Sequence, residues 1–291
     1  GVAGIATFRS GMIDVGDALK NTSVGQLAGD AHTTGTNNTA LGYLALSANT
    51  TGGSNVAVGY AALDANTTGA QNIAIGYAAL GQSNGDANTA LGYNTLQANT
   101  TGQYNTALGG NALEANTTAS SNVAIGKNAL LSNTTGANNV AVGAFSLDAN
   151  TTGDDNVAIG RDALTACTAS DNVAVGNYAL DACTTGASNA AVGRHALGAV
   201  TTGGYNVAVG GLAGDAITTG EGNVAIGRQS LSDNTTASYN TAVGYLALKA
   251  NTAGNNTAVG YNAMFTNTTG TENVAVGYAA LDANTTGTNN T

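Results

Sequence analysis

Few side chains in this sequence are of the kinds that perform catalysis or bind a metal. The only two histidines, His32 and His195, are far apart in the chain and fall at different places in its repeat. Asp154-Asp155 could contribute oxygen ligands to calcium, but the glycine-rich nonapeptide of calcium-binding β-rolls is missing. We therefore predict that the chain is not an enzyme, and that it has no catalytic residue, no metal site and no cofactor.

The two cysteines form the second candidate group. Cys167 and Cys183 occupy the same place in consecutive repeats, and Val200 and Ile217 continue their row, which indicates an inward orientation. Residues stacked at about 4.8 Å fall within the Cα separation of a disulfide, but parallel, in-register side chains are badly aimed for one. The pattern favours two buried thiols and leaves a bridge between them open.

A row of tyrosines is the best candidate for a binding surface. Tyrosine offers a flat apolar ring with a polar tip, which is useful for contacting glycans or proteins. The alternative is that each ring packs against its neighbours on adjacent strands. The row consists of Tyr43, Tyr60, Tyr77, Tyr93, Tyr245, Tyr261 and Tyr278.

An internal repeat must position all of these residues. Its clearest copy starts at Asn55 and reads NVAVGYAALDANTTGAQ, and the spacing is 17 residues except in three units of 16. The short units start at Asn72, Asn156 and Asn240, and they are 84 residues apart. Sixteen units begin at Asn21, Asn38, Asn55, Asn72, Asn88, Asn105, Asn122, Asn139, Asn156, Asn172, Asn189, Asn206, Asn223, Asn240, Asn256 and Asn273.

The repeat predicts the shape of one coil, with positions counted from zero at the leading Asn. The segment at positions 1 to 3 is too short for a helix and rich in β-branched residues, so it predicts a strand. Side chains alternate along a strand, and we expect positions 1 and 3 to point inward and position 2 outward. Gly at position 4 predicts a corner, Leu at position 8 closes the core, and the later A-N-T-T-G predicts a return turn with its Gly at positive φ. The leading Asn predicts a ladder of stacked amides that bond the turn backbone.

These elements predict an all-β fold, a single-chain parallel β-solenoid of about 17 residues per coil and sixteen coils. Coils that stack at the strand-pairing distance give a length of roughly 75–80 Å. Residues 1–20 do not fit the repeat and are interpreted as a lead-in segment or the end of a preceding module. Residues 21–291 form the solenoid, including the start of a seventeenth repeat.

Composition narrows the possible partners. The net charge is −10, and the few basic residues are scattered along the chain without a basic patch, so we predict no nucleic-acid partner. No apolar stretch approaches the length of a membrane helix, so we predict no membrane insertion. The basic residues are Arg9, Lys20, Lys127, Arg161, Arg194, Arg228 and Lys249.

The repeat core resembles known surface fibres. The Asn-Val-Ala-Ile-Gly unit at Asn122–Gly126 and at Asn156–Gly160 resembles the head repeats of trimeric autotransporter adhesins, which form left-handed parallel β-rolls. The longer unit at Asn88–Gly102 is similar to repeats in predicted tail-fibre proteins of phages. The resemblance implies a trimeric, adhesive fibre, extracellular and located on a cell surface or virion, with a glycan or protein receptor.

A second line of reasoning points to self-assembly. Position 2 is Ala in fifteen of sixteen units, and an outward row of constant small residues would pack closely against another copy. A homotrimer is therefore the expected assembly. The main alternative function is an ice-binding β-solenoid that uses its Thr and Asn ladders. A glycan-degrading solenoid would need an Asp and Glu cluster that interrupts the repeat, and none is present.

Overall fold

The computed structural model describes residues 19–291, so most of the predicted lead-in segment lies outside the described residues. The described chain is all-β and folds into one sheet of sixteen parallel strands, in which each strand pairs with the next along the chain. The strands are β1 (Thr22–Val24), β2 (Thr39–Leu41), β3 (Val56–Val58), β4 (Ile73–Ile75), β5 (Thr89–Leu91), β6 (Thr106–Leu108), β7 (Val123–Ile125), β8 (Val140–Val142), β9 (Val157–Ile159), β10 (Val173–Val175), β11 (Ala190–Val192), β12 (Val207–Val209), β13 (Val224–Ile226), β14 (Thr241–Val243), β15 (Thr257–Val259) and β16 (Val274–Val276).

The predicted β-solenoid is confirmed, with about 17 residues per coil. The register follows the repeat, so that equal positions pair, as Ala141 of β8 does with Ala158 of β9. The register holds through the short coils, where Ala74 of β4 pairs with Ala90 of β5. The missing residue of these coils is removed from the return turn, outside the strand.

The predicted orientation of the strands was wrong. The position-2 alanines, such as Ala141 and Ala158, are completely buried, whereas the flanking Val, Ile and Leu side chains point outward and are partly exposed. Ala at position 7 and Leu at position 8, for example Ala163 and Leu164, share the interior with them. The coil is too narrow for a β-branched side chain on the strand opposite a leucine, so alanine lies inside and the larger residues lie outside. The Ala row is therefore core and cannot be a contact between copies.

The predicted corner glycine is confirmed. Gly143 at position 4 has a φ of +138°, and a Cβ there would lie 2.5 Å from the carbonyl oxygen of Gly160 in the next coil. The return-turn glycine was predicted at positive φ, and this was wrong. Gly136 lies outside the left-handed region, and its role is close approach, since a Cβ would lie 2.4 Å from the Gly153 carbonyl oxygen.

The predicted asparagine ladder is confirmed, and there are two of them. At position 0, the Oδ1 of Asn122 accepts a hydrogen bond from the backbone N–H of Asn139 at 2.8 Å. At position 11, the Nδ2 of Asn133 donates to the Oδ1 of Asn116 at 3.0 Å and to the carbonyl oxygen of Gly136 at 2.9 Å. Both rows are buried between residues 38 and 273, so each amide there satisfies backbone groups that would otherwise be unpaired in the interior.

Candidate binding surfaces

The outward strand residues form a continuous apolar face along the solenoid. Positions 1 and 3 supply mostly Val, Ile, Leu and Thr, and their exposed fractions include 47% at Leu41, 41% at Ile73 and 40% at Val192. A strip three residues wide and sixteen strands long covers roughly 750–800 Å². A soluble monomer rarely exposes an apolar patch larger than about 300–600 Å², so this face has the properties of an interaction surface.

The tyrosines predicted as a binding surface are exposed and form two stacks. The first stack joins Tyr43, Tyr60, Tyr77 and Tyr93, with ring centroids 4.9–5.5 Å apart. The second joins Tyr245, Tyr261 and Tyr278 at 5.2–5.6 Å. Within each stack the ring faces are covered by neighbouring rings, so the edges and hydroxyl groups are presented to solvent. The tyrosine rings therefore pack against one another and still expose their hydroxyl groups. Binding of a ligand by this row stays a prediction.

Basic side chains continue the position-5 row between the two tyrosine stacks. Lys127, Arg161, Arg194 and Arg228 all fall at position 5 and are all exposed. The prediction of scattered bases was wrong, because it followed chain order and did not compare positions within the coil. That comparison was available from the sequence alone, and it would have revealed the row.

Aromatic rings of the following coil lie beside three of these cations. Lys127 lies 5.7 Å from the ring centroid of Phe145, and the Arg161 guanidinium lies 5.9 Å from the ring of Tyr178. Arg228 stands 5.9 Å from the ring of Tyr245, at the start of the second stack. Such contacts hold a long flexible side chain in place without neutralising its charge.

A shallow groove runs beside the position-5 row, and two of its cavities include a glycine at position 9. A cavity of about 290 Å³ near Gly81 is lined by Tyr60, Tyr77 and Asp64. A second cavity of about 430 Å³ near Gly198 is lined by Asp181, Arg194, His195 and Asp215, among others. Desolvation by partial burial is the main cause that raises the pKa of Asp64, Asp181 and Asp215 above its ordinary value of 3.8.

The two cysteines are buried free thiols, as the sequence favoured. Their sulfur atoms are 2.9 Å apart in the interior, and Cys183 also contacts the carbonyl oxygen of Gly186 at 3.3 Å. The sulfur–sulfur hydrogen bond lowers the pKa of Cys167 and raises the pKa of Cys183. The pair belongs to the core and not to an exposed site.

Across residues 19–291, no group of three or more His, Cys, Asp or Glu side chains is arranged to hold a metal ion. The same part of the chain contains no helix long and apolar enough to span a membrane. Comparison of the chain with protein-family models and with curated proteins finds no match.

Proposed function

We propose that this chain is a segment of a structural, adhesive fibre that works outside the cell, on a cell surface or a virion, as a homotrimer. The observation that supports this most directly is the apolar face formed by strand positions 1 and 3, which we call the β-face. It runs the length of the sheet on one side of every coil. A repetitive rod with one long apolar face is suited to packing side by side with other copies.

The area of this face supports association between copies. A stable protein–protein interface buries about 800 Å² on each partner, and the face offers roughly 750–800 Å². Its strands pair in register from β1 to β16, so a second copy can align along the whole length. The β-face thus replaces the alanine row as the proposed contact between chains.

We propose that the receptor binds to the surfaces that stay exposed after the copies associate through the β-face. The corner at Gly143 separates the β-face from the position-5 row, which lies just beyond it in the chain. The exposed tyrosine hydroxyls are suited to hydrogen bonding with a glycan or a protein receptor. We propose no enzymatic role, no nucleic-acid partner and no membrane insertion for the chain.

The mass in solution tests this proposal. Ile125→Glu with Val142→Glu places two charges per chain on adjacent strands of the β-face, and in a trimer their desolvation should prevent assembly. Light scattering should give a trimer for the wild type and a monomer for this variant, with unchanged circular dichroism because both side chains point outward.

A matched control separates charge from position. Thr135→Glu with Thr152→Glu adds the same charge to the same two coils, at exposed turn positions away from the β-face. This control should remain trimeric. A wild type that is monomeric at micromolar concentration, or two variants with equal mass, would contradict the assembly.

The ice-binding alternative predicts a different observable. Both Asn rows are buried, so an ice surface would have to use threonine alone. At position 12 the Thr hydroxyls donate to the carbonyl oxygen of the next coil, as Thr134 does to Thr151 at 3.0 Å. We expect no thermal hysteresis, and a clear gap between melting and freezing points would favour ice binding over the fibre.

A further inference from the structure

We propose that the four cations of the position-5 row bind a linear acidic polysaccharide carrying one anionic group per disaccharide. These residues are Lys127, Arg161, Arg194 and Arg228, and we call them the cationic row. This inference deepens the proposed attachment role, because it names the ligand class of a surface on the fibre.

The spacing of the cationic row is regular. Its four members occupy every second coil, so their backbones are separated by about 9.6 Å, twice the distance between neighbouring strands. An extended disaccharide is close to this length. The intervening position-5 residues are small, namely Ala144, Asn177 and Gly211, so the cations stand apart as separate contact points.

Three of the four cations are held by contacts with the next coil. Rings of the next coil lie beside Lys127, Arg161 and Arg228 at 5.7–5.9 Å. Arg161 also contacts the carboxylate of Asp162 at 3.0 Å, but its side chain remains 62% exposed. Side chains that are already ordered lose little conformational freedom on binding, which favours a ligand with matching repeat.

Carboxylates alternate with the cations along the same groove. Asp148, Asp181 and Asp215 fall at position 9 of the coils that lie between those of the cationic row. Asp181 and Asp215 line the same cavity as Arg194. A polymer with closely spaced charges would meet these carboxylates, whereas a polymer charged once per disaccharide would place neutral sugars beside them.

This alternation favours a polysaccharide over a nucleic acid. A nucleic-acid strand carries a phosphate about every 3.4 Å, so about two of every three phosphates would lack a cation. A polyproline helix with an acid at every third residue would match the spacing at about 9.3 Å. Such helices dock on open aromatic grooves, however, and the rings beside the cationic row, Phe145 and Tyr178, are already in contact with Lys127 and Arg161.

Binding of a hyaluronan octasaccharide to the full chain tests the proposal, measured by calorimetry at low and moderate salt. We expect binding that weakens as salt rises. Arg161→Ala with Arg194→Ala should weaken binding and raise Kd by about tenfold. Lys20→Ala with Lys249→Ala removes the same charge outside the row and should leave Kd unchanged.

A second variant tests the spacing itself. Arg194→Gly with Gly211→Arg moves one cation by a single coil and keeps the composition and net charge. A Cβ at Gly211 meets no atom closer than 4.0 Å, so the exchange should preserve the fold. We expect weaker binding of the octasaccharide in this variant, and no binding of an uncharged chitin oligosaccharide by any form.

Three results would overturn the proposal. The first is equal binding of the octasaccharide by the wild type and the double-alanine variant. The second is tighter binding of a single-stranded oligonucleotide, and the third is tighter binding of an acidic proline-rich peptide. Light-scattering mass, measured on the same samples, reports assembly separately, so a failure of ligand binding is distinguishable from a failure of the proposed trimer.

Discussion

At the scale of single residues, the interior is adjusted coil by coil. Position 8 is Leu in most coils, but Gly214 lacks a side chain there. In the same coil, position 11 holds Ile217 where most coils have Asn, and the Ile217 side chain fills the vacant space. The two departures from the repeat therefore compensate each other and conserve the volume of the core.

This compensation predicts a double-mutant result. Gly214→Leu should destabilise the chain by about 1–3 kcal/mol, because an added Cβ already lies 3.0 Å from both Ile217 and Leu197. Adding Ile217→Asn should recover most of the loss, since it recreates the pair of Leu231 and Asn234 found in the following coil. Thermal unfolding of both variants measures this, and additive losses would show that the positions are independent.

The same scale shows what sequence could and could not predict. Alternation along the strand correctly separated Ala141 from Val140 and Val142 onto two faces, but it does not say which face is inside. Hydrophobicity alone predicts that Val lies inside, whereas the narrow interior of the coil has room only for Ala on the strand opposite the leucine. The corner at Gly143 was predictable, because a residue without Cβ at every corner indicates close backbone approach.

At the scale of elements, the ladders connect one coil to the next. Asn133 donates to Asn116 and to Gly136, and its own Oδ1 accepts from Asn150 at 2.9 Å. Removing this amide takes one hydrogen bond from each of three partners in a dry interior. Gly136 still accepts from Asn122 and Asn150 still donates to Gly153, so the Oδ1 of Asn116 loses most. The ladder is interrupted by a block of apolar residues from Cys167 to Ile217 and by the single Ser83. At Ser83 the hydroxyl still accepts from Asn99 at 3.0 Å, but the Oδ1 of Asn66 on the other side has no hydrogen-bond partner.

We therefore expect Asn133→Ala to cost about 2 kcal/mol or more of local stability. Hydrogen exchange should show faster opening of the coils on either side, while distant coils are unchanged, because each coil contacts only its neighbours. Thr135→Ala in the same turn is the control, since Thr135 is exposed. Equal protection in the two variants would mean that water replaces the lost amide.

The tyrosine row shows the limit of prediction at this scale. Its alignment followed from the repeat, and the stacked rings of Tyr60 and Tyr77 were among the two alternatives. The groove beside it was not predictable, because it depends on the backbone conformation of the segment around Leu63 and of Gly81 in the next coil. Several non-glycine residues in this segment, Leu63 among them, have positive φ, which composition gives no reason to expect.

At the scale of the whole molecule, stability depends on coils that stack in register. The short coils recur every 84 residues, so the chain contains a longer period of five coils. Each long period begins with the same leading Asn, whose ladder continues through the short coil, where Asn88 donates its backbone N–H to the Oδ1 of Asn72 at 2.9 Å. The solenoid can therefore lose a whole long period and keep the position-0 ladder continuous.

Deletion of residues 72–155 removes one long period and joins Gln71 to Asn156. The backbone N–H of Asn156 then takes the place of that of Asn72, which donates to the Oδ1 of Asn55 at 2.9 Å. The shortened chain should fold with the same circular dichroism per residue, and denaturant should unfold it with a smaller m-value because less surface is exposed. Deletion of residues 72–147 instead leaves the eight residues 148–155 between Gln71 and Asn156, a partial coil without a strand or a core Leu. This segment interrupts the stacking and should lower the denaturant midpoint relative to the 72–155 deletion. If the 72–155 deletion does not fold, or unfolds at a lower denaturant concentration than the 72–147 deletion, in-register stacking of core and ladder residues is not what joins the coils of this solenoid.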